Sequence, residues 1–281
     1  MKRVAILTSG GDAPGMNAVI RAVVRKGIYH GLTVFGVERG YEGVLHGDFI
    51  PLALKSVAGI IQHGGTMLRT ARSEDFKTDL GFQMAVKQLK DRQIDSLIVV
   101  GGDGSMAGAA KLGEAGISTV VIPGTIDNDM PGTEYTIGFD TALNTVLDAV
   151  NKIRDTAASH ERVAVVEVMG RSAGHIALLS GIASGAEFIL LPEQPVDMDA
   201  VCQGLMQTFS RGKLYSIIVV AEGAGEGHAV ASEIAKRTSF KPGVTVLGYI
   251  QRGGSPSAYD NIMGSRMGAM AIDSLLESVP L

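Results

Sequence analysis

The chain alternates short apolar, β-branched runs with longer stretches of helical character, and this alternation constrains its fold more than any other feature. The short runs have the length and composition of buried strands, and the stretches between them place apolar residues at helical spacing. We predict strands at Val4–Leu7, Thr33–Val37, Leu97–Val100, Thr119–Ile122, Val163–Val168, Phe188–Leu191, Ile217–Val220 and Val244–Leu247. We predict helices at Ala18–Tyr29, Phe82–Leu89, Ala107–Gly113, Leu143–Thr156, Ala177–Ile182, Val201–Phe209, Val230–Lys236 and Asp260–Leu276. This order favours an α/β fold, with two Rossmann-like domains whose mostly parallel sheets are covered by helices on both faces.

Composition excludes several classes of protein. With 46% hydrophobic and 19% charged residues the chain is not disordered, and its 37 glycines form clusters instead of the every-third-residue repeat of collagen. The net charge of −4 argues against nucleic acid or a membrane as a partner. The single cysteine allows no internal disulfide, and no apolar run approaches the ~20 residues that span a bilayer. The basic and then apolar start of the chain predicts a first strand, not a signal peptide, so we expect a cytoplasmic protein.

A loop at residues 123–132 is the expected boundary between two domains. A second series of strands and helices begins near Gly138 and ends near Tyr249. The last predicted helix would then return to the first domain. We therefore expect one domain made of residues 1–138 plus 251–281, and a second made of residues 139–250.

Glycine clusters follow most of the predicted strands. They are Gly10–Gly11, Gly101–Gly104, Gly124, Gly170 and Gly223. In open α/β sheets, ligands bind outside the carboxyl ends of the strands, and glycine there lets backbone N–H groups approach an anion closely. These clusters predict a phosphate-binding edge.

The segment Gly101–Ser105 joins a predicted strand to a helix, and a phosphate could approach its backbone. Asp103 would repel phosphates there unless it held a divalent cation. The alternative is a tight turn in which Asp103 only caps the helix.

Two carboxylates, Asp127 and Asp129, follow another buried strand. In an extended segment they would point to opposite sides, so that one could accept a proton while the other reached a metal ion. An Asx turn is the alternative, and it explains one aspartate better than two. Cationic charge for an anion would come from Arg72 and from Arg171, which directly follows a predicted core strand.

A serine hydrolase is an alternative function class. Gly170–Gly174 fits the Gly-x-Ser-x-Gly pattern between a strand and a helix, which would make Ser172 the nucleophile. Its candidate partners are Asp197, Asp199 and His228, with His63–Gly65 resembling an oxyanion loop. This alternative gives Asp103, Asp127 and Asp129 no role. A Walker-type NTPase is excluded because its glycine–lysine motif is absent, and the spacing of Gly102, Gly104 and Gly108 weakens a dinucleotide-binding interpretation.

Four ordered motifs together resemble the bacterial ATP-dependent 6-phosphofructokinases along the whole chain. They are residues 7–17 (LTSGGDAPGMN), 101–105 (GGDGS), 123–129 (PGTIDND) and 168–171 (VMGR). The resemblance implies transfer of a phosphoryl group from MgATP to the 1-hydroxyl of fructose 6-phosphate in glycolysis. It makes Asp127 the base that takes the hydroxyl proton, with Thr125 and Asp129 beside it, and it gives Arg72 and Arg171 the stabilisation of phosphoryl charge. It also makes the Gly-x-Ser-x-Gly match a coincidence.

The resemblance assigns further residues by position. The metal ligands for Mg²⁺ would be Asp103 and Asp129. The nucleotide site would comprise Gly11, Tyr41, Arg72, Ser73, Gly102, Asp103, Gly104, Ser105 and Gly108. The sugar phosphate would contact Thr125, Ile126, Asp127, Met169, Gly170, Arg171, Glu222 and Arg252, with Arg162 crossing from a neighbouring subunit. Effector sites for ADP or phosphoenolpyruvate at subunit interfaces would use Arg21, Arg25, Arg154, Gly185, Glu187, Arg211 and Lys213. A homotetramer is expected.

Two glycines bear on the phosphoryl donor. Pyrophosphate-dependent relatives carry Asp and Lys where this chain has Gly104 and Gly124. Those side chains would crowd the α-phosphate of ATP, so glycine at both positions favours ATP.

The chain also departs from the family pattern. Gly243 and Tyr249 stand where an arginine and a histidine help to hold the 6-phosphate, Gly59 replaces an acidic residue of the effector site, and Asn261 replaces an arginine. Each lost charge-assisted bond of about 1.5–3 kcal/mol would raise the KM for the sugar phosphate. The chain ends at Leu281, a few tens of residues before the family pattern does, so we expect a short variant or a fragment with an uncovered sheet edge. These departures motivate a second hypothesis, a catalytically weakened protein that binds nucleotide and effectors.

Overall fold

In the computed structural model, residues 2–277 are described, and they contain nine strands and nine α-helices. The strands are β1 (Arg3–Thr8), β2 (Thr33–Val37), β3 (Phe49–Leu52), β4 (Ser96–Gly101), β5 (Ser118–Pro123), β6 (Val163–Val168), β7 (Phe188–Leu190), β8 (Ser216–Ala221) and β9 (Gly243–Val246). The helices are α1 (Met16–Tyr29), α2 (Gly40–His46), α3 (Asp79–Asp91), α4 (Asp103–Glu114), α5 (Phe139–Ser159), α6 (His175–Ser184), α7 (Met198–Ser210), α8 (Gly227–Arg237) and α9 (Ala258–Glu277).

The chain divides into two compact units. Unit 1 holds the described residues up to Thr125, Met130–Asp140 and those from Arg252 onward. Unit 2 holds Ile126–Asp129 and Thr141–Gln251. The segment that follows β5 is therefore shared between the units.

The sheet of unit 1 has the strand order β3-β2-β1-β4-β5. Its strands are parallel except β3, which runs antiparallel to β2 at the edge. Every residue of β4 is buried, as are five of the six residues of β1. Central strands of a parallel sheet are covered on both faces, which explains why these runs are continuously apolar.

Helix α9 packs along α1 in unit 1. The two helices approach closely at small residues: an ideal Cβ on Gly268 would lie only 2.7 Å from the Val19 carbonyl oxygen. An ion pair between Lys26 and Asp273 joins the same two helices. The last described helix, α9, therefore lies in the same layer of unit 1 as α1.

The sheet of unit 2 is entirely parallel, with the order β7-β8-β6-β9. Its core forms between the sheet and helices α7 and α8, around residues such as Val165, Leu205, Ile218 and Ile234. β9 lies at one edge of this sheet and most of its residues are exposed.

The predicted α/β class is confirmed, and all eight predicted strands and all eight predicted helices are present, with ends shifted by up to four residues. The sequence prediction omitted β3 and α2. Pro51 in β3 lacks an N–H donor, which is tolerated because β3 is an edge strand. Helix α2 has a glycine at Gly43, where an ideal Cβ would lie 1.7 Å from the Glu38 carbonyl oxygen, so tertiary packing overrides its low helix propensity.

No helix among residues 2–277 is long and apolar enough to cross a membrane.

Candidate active site

In unit 1, three loops leave the same edge of the sheet. β1, β4 and β5 are adjacent, and their register pairs Thr8 with Val100 and Gly101 with Pro123 at their carboxyl ends. Backbone hydrogen bonds continue past the strand ends, from Ser9 N to Val100 O at 2.9 Å and from Gly124 N to Gly101 O at 3.0 Å. The glycine segments that follow these strands therefore share one edge of the unit.

Helix α4 begins at this edge with Asp103 as its first residue. Its N-cap, Gly102, has no side chain to cap the helix. Ser105 N donates at 3.0 Å to the Gly102 carbonyl, so the N–H groups of Asp103 and Gly104 are the donors left at the positive end of the helix dipole. The carboxylate of Asp103 is exposed and makes no hydrogen bond or ion pair with the described residues. Ser105 is buried behind it, whereas Gly104 borders open space. Backbone donors for an anion and a carboxylate for a cation thus lie side by side.

Tyr41 is enclosed in the core under α4. Its ring stacks on Phe76 at a centroid distance of 4.2 Å, and its hydroxyl donates to the Ser105 carbonyl at 2.6 Å. Burial raises the pKa of the Tyr41 phenol well above its ordinary value. An ideal Cβ on Gly108 would lie 2.8 Å from this ring. In this structure Tyr41 therefore packs against α4 at Ser105 and Gly108.

The remaining predicted nucleotide residues of unit 1 lie on exposed or half-exposed loops. Arg72 is exposed, and Ser73 accepts a hydrogen bond from Phe76 N at 3.2 Å. Hydrogen bonds from Ser73 and His46 hold the pKa of Glu42 below its ordinary value. The guanidinium of Arg252 lies beside Gly11, 3.4 Å from the position of an ideal Cβ there.

In unit 2, a buried carboxylate faces an exposed guanidinium. Oδ2 of Asp127 lies 3.9 Å from Nε of Arg171, and the two side chains are 7% and 61% exposed. The segment carrying Asp127 and Asp129 is bent, and Asn128 between them has a left-handed φ of 55°. The condition of an extended segment is therefore not met, and burial distinguishes the two carboxylates instead: Asp127 is enclosed and Asp129 is half-exposed.

The loop at residues 169–171 follows β6 and carries Arg171. Gly170 has a φ of 139° and Arg171 a φ of 54°, so the backbone turns sharply here. Oε1 of Glu222 accepts hydrogen bonds from Gly170 N at 3.2 Å and Arg171 N at 2.7 Å. Met169 N donates at 3.2 Å to Gln251, which sequence reasoning did not include among the site residues. Gln251 directly precedes Arg252, a predicted contact to the sugar phosphate, and this neighbourhood is the sequence signal that could have found it.

Arg162 lies away from this loop. It directly precedes β6, whereas Met169 directly follows it, and the six residues of the strand span roughly 20 Å. Gly243 pairs with Ala164 in the register of β6 and β9, at the same end of the sheet as Arg162. A cavity of about 310 Å³ lies here, and Lys152, His160, Arg162 and Gly243 are among the residues that line it.

The predicted effector residues of unit 2 form two small clusters. The guanidinium of Arg154 donates to the Ser184 carbonyl, next to Gly185, which ends α6 in a left-handed conformation. Glu187 forms an ion pair with Lys213 and accepts from Ile217 N at 2.6 Å. Arg211 directly follows α7. In unit 1, Arg21 and Arg25 are four residues apart on α1 and so lie on one helical face.

No serine hydrolase triad is present among residues 2–277. Asp197 caps α7 through hydrogen bonds from Asp199 N and Ala200 N, and Asp199 pairs with Arg237 at 2.8 Å. Ser172 and His228 are both exposed and neither hydrogen-bonds to these aspartates. The hydrolase alternative is therefore not supported.

This geometry is that of a doubly wound α/β protein. One unit has a glycine-rich loop and a helix N-terminus suited to a phosphate, and the other has a buried carboxylate facing an arginine. Comparison with known proteins then gives the family. Residues 3–275 match the family described as phosphofructokinase, and the chain belongs to that family.

Individual relatives support this assignment. The chain is 58% identical over 277 residues to an ATP-dependent 6-phosphofructokinase of Halalkalibacterium halodurans, covering 99% of this chain and 87% of the relative. It is 56% identical to the ATP-dependent 6-phosphofructokinase of Clostridium tetani at the same coverage.

Solved structures show the same fold. Phosphofructokinase from Saccharomyces cerevisiae matches with a TM-score of 0.93 and 38% identity over 100% of this chain, which spans 42% of the yeast chain. A pyrophosphate-dependent phosphofructokinase from Marinobacter aquaeolei matches with a TM-score of 0.86, 24% identity and coverage of 99% of this chain and 76% of that one. This second likeness supports the fold only.

Proposed function

We propose that the chain transfers the γ-phosphoryl group of MgATP to the 1-hydroxyl of fructose 6-phosphate, giving fructose 1,6-bisphosphate and ADP in glycolysis. The observation that carries the proposal is the buried Asp127 carboxylate with Arg171 at 3.9 Å. Asp127 takes the hydroxyl proton as the sugar oxygen attacks the γ-phosphorus in line, and the bond to the ADP oxygen breaks. Arg171 and Arg72 stabilise the charge on the transferring phosphoryl group.

Unit 1 supplies the nucleotide contacts in this proposal. The first turn of α4 binds phosphate oxygens through its N–H groups, with Gly11, Gly102, Gly104, Ser105 and Ser73 around them. Asp103 of unit 1 and Asp129 of unit 2 would hold Mg²⁺, which would offset the negative charge of the phosphates. The residues fit this ion: the exposed Asp103 carboxylate has no competing partner among the described residues, and Mg²⁺ takes one or two carboxylates plus phosphates and waters. A preformed group of three metal ligands is not required, and the described residues contain none.

Unit 2 supplies the sugar contacts. Oε2 of Glu222 makes no hydrogen bond with the described residues, so it is available to a sugar hydroxyl. The N–H groups of Met169 and Gly170 are already used by side chains, so these two residues would contact the sugar through other atoms. Thr125, Ile126 and Arg252 complete the proposed substrate contacts.

The proposal that ATP is the phosphoryl donor rests on Gly104 and Gly124. The surroundings of these two glycines differ. An ideal Cβ on Gly104 meets nothing within 4 Å, whereas one on Gly124 would lie 2.9 Å from Val100. Only position 104 can therefore be substituted without disturbing the core.

Gly104→Asp is expected to lower kcat/KM for MgATP by about 100-fold, because a carboxylate facing phosphates costs several kcal/mol. The free energy of unfolding should change by less than about 0.5 kcal/mol, since the position is exposed and open. Steady-state kinetics and thermal unfolding measure the two effects. Ala110→Asp, with the same charge change at an exposed site on α4, is the control. An unchanged kcat/KM in Gly104→Asp would contradict the donor assignment.

We further propose a cytoplasmic homotetramer in which Arg162 serves the sugar phosphate of a neighbouring copy. The support is the roughly 20 Å along β6 between Arg162 and the Met169 loop of its own chain. ADP or phosphoenolpyruvate would bind through Arg21, Arg25, Arg154, Gly185, Glu187, Arg211 and Lys213.

Co-expression of Asp127→Ala chains with Arg162→Ala chains tests the shared site. Each variant alone is expected to have little activity. In a mixed pair one site combines the intact Asp127 of one chain with the intact Arg162 of the other, so random pairing should restore about one quarter of the activity per chain. Separately purified and unmixed variants provide the baseline. Failure to recover activity in mixed oligomers shown to contain both chains would place Arg162 outside the shared site.

A second candidate function, nucleotide and effector binding with weak turnover, is favoured by Gly243 and Tyr249. Gly243 presents no side chain to the cavity beside Arg162, and Tyr249 is 79% exposed. Calorimetry separates the candidates: ATP binding without measurable fructose 6-phosphate binding would favour the second.

A further inference from the structure

The loop at residues 169–171 is held by one local hydrogen bond, from Ala173 N to the Gly170 carbonyl at 2.9 Å, and by contacts from distant parts of unit 2. Gly170 and Arg171 are consecutive residues with φ of 139° and 54°, a backbone conformation that L side chains rarely adopt. Glycine adopts a positive φ without strain, but at Arg171 such a conformation persists only where surrounding groups fix it. The groups that fix this loop therefore also determine where Arg171 lies.

Side chains from two other elements hold the backbone of this loop. Glu222, directly after β8, accepts from the N–H groups of Gly170 and Arg171, and Gln251 accepts from the N–H group of Met169. The backbone at Gly223, next to Glu222, approaches so closely that an ideal Cβ there would lie 2.2 Å from the Arg171 carbonyl oxygen. Glu222 is also a proposed sugar contact, whereas Gln251 is not among the proposed contacts to substrate or nucleotide.

The chemistry of the Gln251 position requires an amide. The side chain is completely buried, with 0% of the residue exposed. Its Oε1 accepts from Met169 N at 3.2 Å and its Nε2 donates to the Gly248 carbonyl at 3.0 Å. A carboxylate could serve only the first partner, and an apolar side chain neither, so buried polar groups would be left without hydrogen bonds.

We infer that Gln251 is a positioning residue for phosphoryl transfer: it fixes the Met169 end of the loop and thereby keeps the Arg171 guanidinium opposite Asp127. It touches neither substrate nor nucleotide and acts through Arg171. The kinetic consequence rests on the proposed function, whereas the effect on the loop does not.

The inference is tested by replacing Gln251 with methionine, which keeps the length of the side chain and removes both hydrogen bonds. We expect kcat to fall by about 10- to 100-fold, because displacement of a catalytic group by about 1 Å can cost 100-fold. The KM for MgATP should not change. In an Arg171→Ala background the same replacement should change kcat by less than about twofold, because two residues that act as one unit are not additive. Equal losses in both backgrounds would overturn the inference, since general destabilisation would lower kcat in each.

A graded variant and a matched control sharpen this test. Gln251→Glu keeps the acceptor for Met169 and loses the donor to Gly248, so its loss of kcat should be smaller than that of Gln251→Met. This variant also serves if Gln251→Met does not fold. Gln203→Met, at an exposed position on α7, is the control and should leave kcat unchanged.

Hydrogen exchange gives a measurement that does not depend on activity. The Met169 amide should exchange at least about tenfold faster in Gln251→Met than in the parent and in Gln203→Met, because its acceptor is removed. Gln251→Glu keeps an acceptor but loses the hydrogen bond to Gly248, so it should accelerate the exchange less. If the parent phosphorylates no sugar but this acceleration is seen, the proposed function fails and the positioning of the loop stands. Unaltered exchange at Met169 in both variants would overturn the positioning role.

Discussion

Replacing Asp127 with asparagine should lower kcat by about 10²- to 10⁴-fold, the usual contribution of a general base. Asparagine has nearly the same shape, but its amide does not take up the proton of the sugar hydroxyl. The KM for MgATP should change little, because Asp127 is not among the proposed contacts to the nucleotide or to Mg²⁺. Formation of ADP that depends on fructose 6-phosphate is the measurement.

Asp155→Asn is the matched control for this prediction. Asp155 is exposed on α5 in unit 2, so the variant has the same charge change without touching the proposed site. Thermal unfolding of both variants would show whether either is destabilised. A kcat in Asp127→Asn equal to that of the parent would show that another group removes the proton.

The second large effect is expected from Gly243→Arg, a substitution that should improve the enzyme. One charge-assisted hydrogen bond to a phosphate contributes about 1.5–3 kcal/mol, so the KM for fructose 6-phosphate should fall by about 10- to 100-fold. Steady-state kinetics with varied sugar phosphate measure the change. Because kcat reports the chemical step at Asp127, it should stay within about twofold of the parent value.

The structure has room for this arginine. An ideal Cβ on Gly243 meets nothing within 4 Å, and the position lines the same cavity as Arg162 and His160. Gly243→Gln adds similar length without charge and is the control that should leave KM nearly unchanged. If both variants lower KM equally, or neither does, position 243 does not act on the phosphate through its charge.

Much of the fold could be predicted from the sequence because parallel sheets buried on both faces give strong local signals. The apolar runs of β1 and β4 and the glycines after them have few alternative interpretations. Elements without such a signal were omitted: β3 is a short edge strand with a proline, and α2 depends on a glycine that packs against backbone. Their formation is decided by tertiary contacts.

The candidate site was predictable in its residue types but not in its supporting contacts. Asp127 and Arg171 follow from motifs, yet the bend at Asn128 that buries one aspartate and leaves the other half-exposed has no local signature beyond an asparagine. Gln251 and Glu222 hold the loop at 169–171 from 82 and 52 residues away along the chain. Hydrogen bonds between side chains and distant backbone are set by the assembled sheet, and no periodicity in the sequence encodes them.

Because the surroundings of Gly104 and Gly124 differ, they predict the order in which substitutions at these two positions would occur when the phosphoryl donor changes during evolution. A carboxylate at position 104 meets open space, so Gly104→Asp is a single substitution that leaves the free energy of unfolding nearly unchanged. A side chain at position 124 meets the fully buried Val100 and needs a prior or simultaneous change in the core. Lineages that exchange one donor for another should therefore pass through the change at 104 first, and the change at 124 should be found together with a smaller residue at 100.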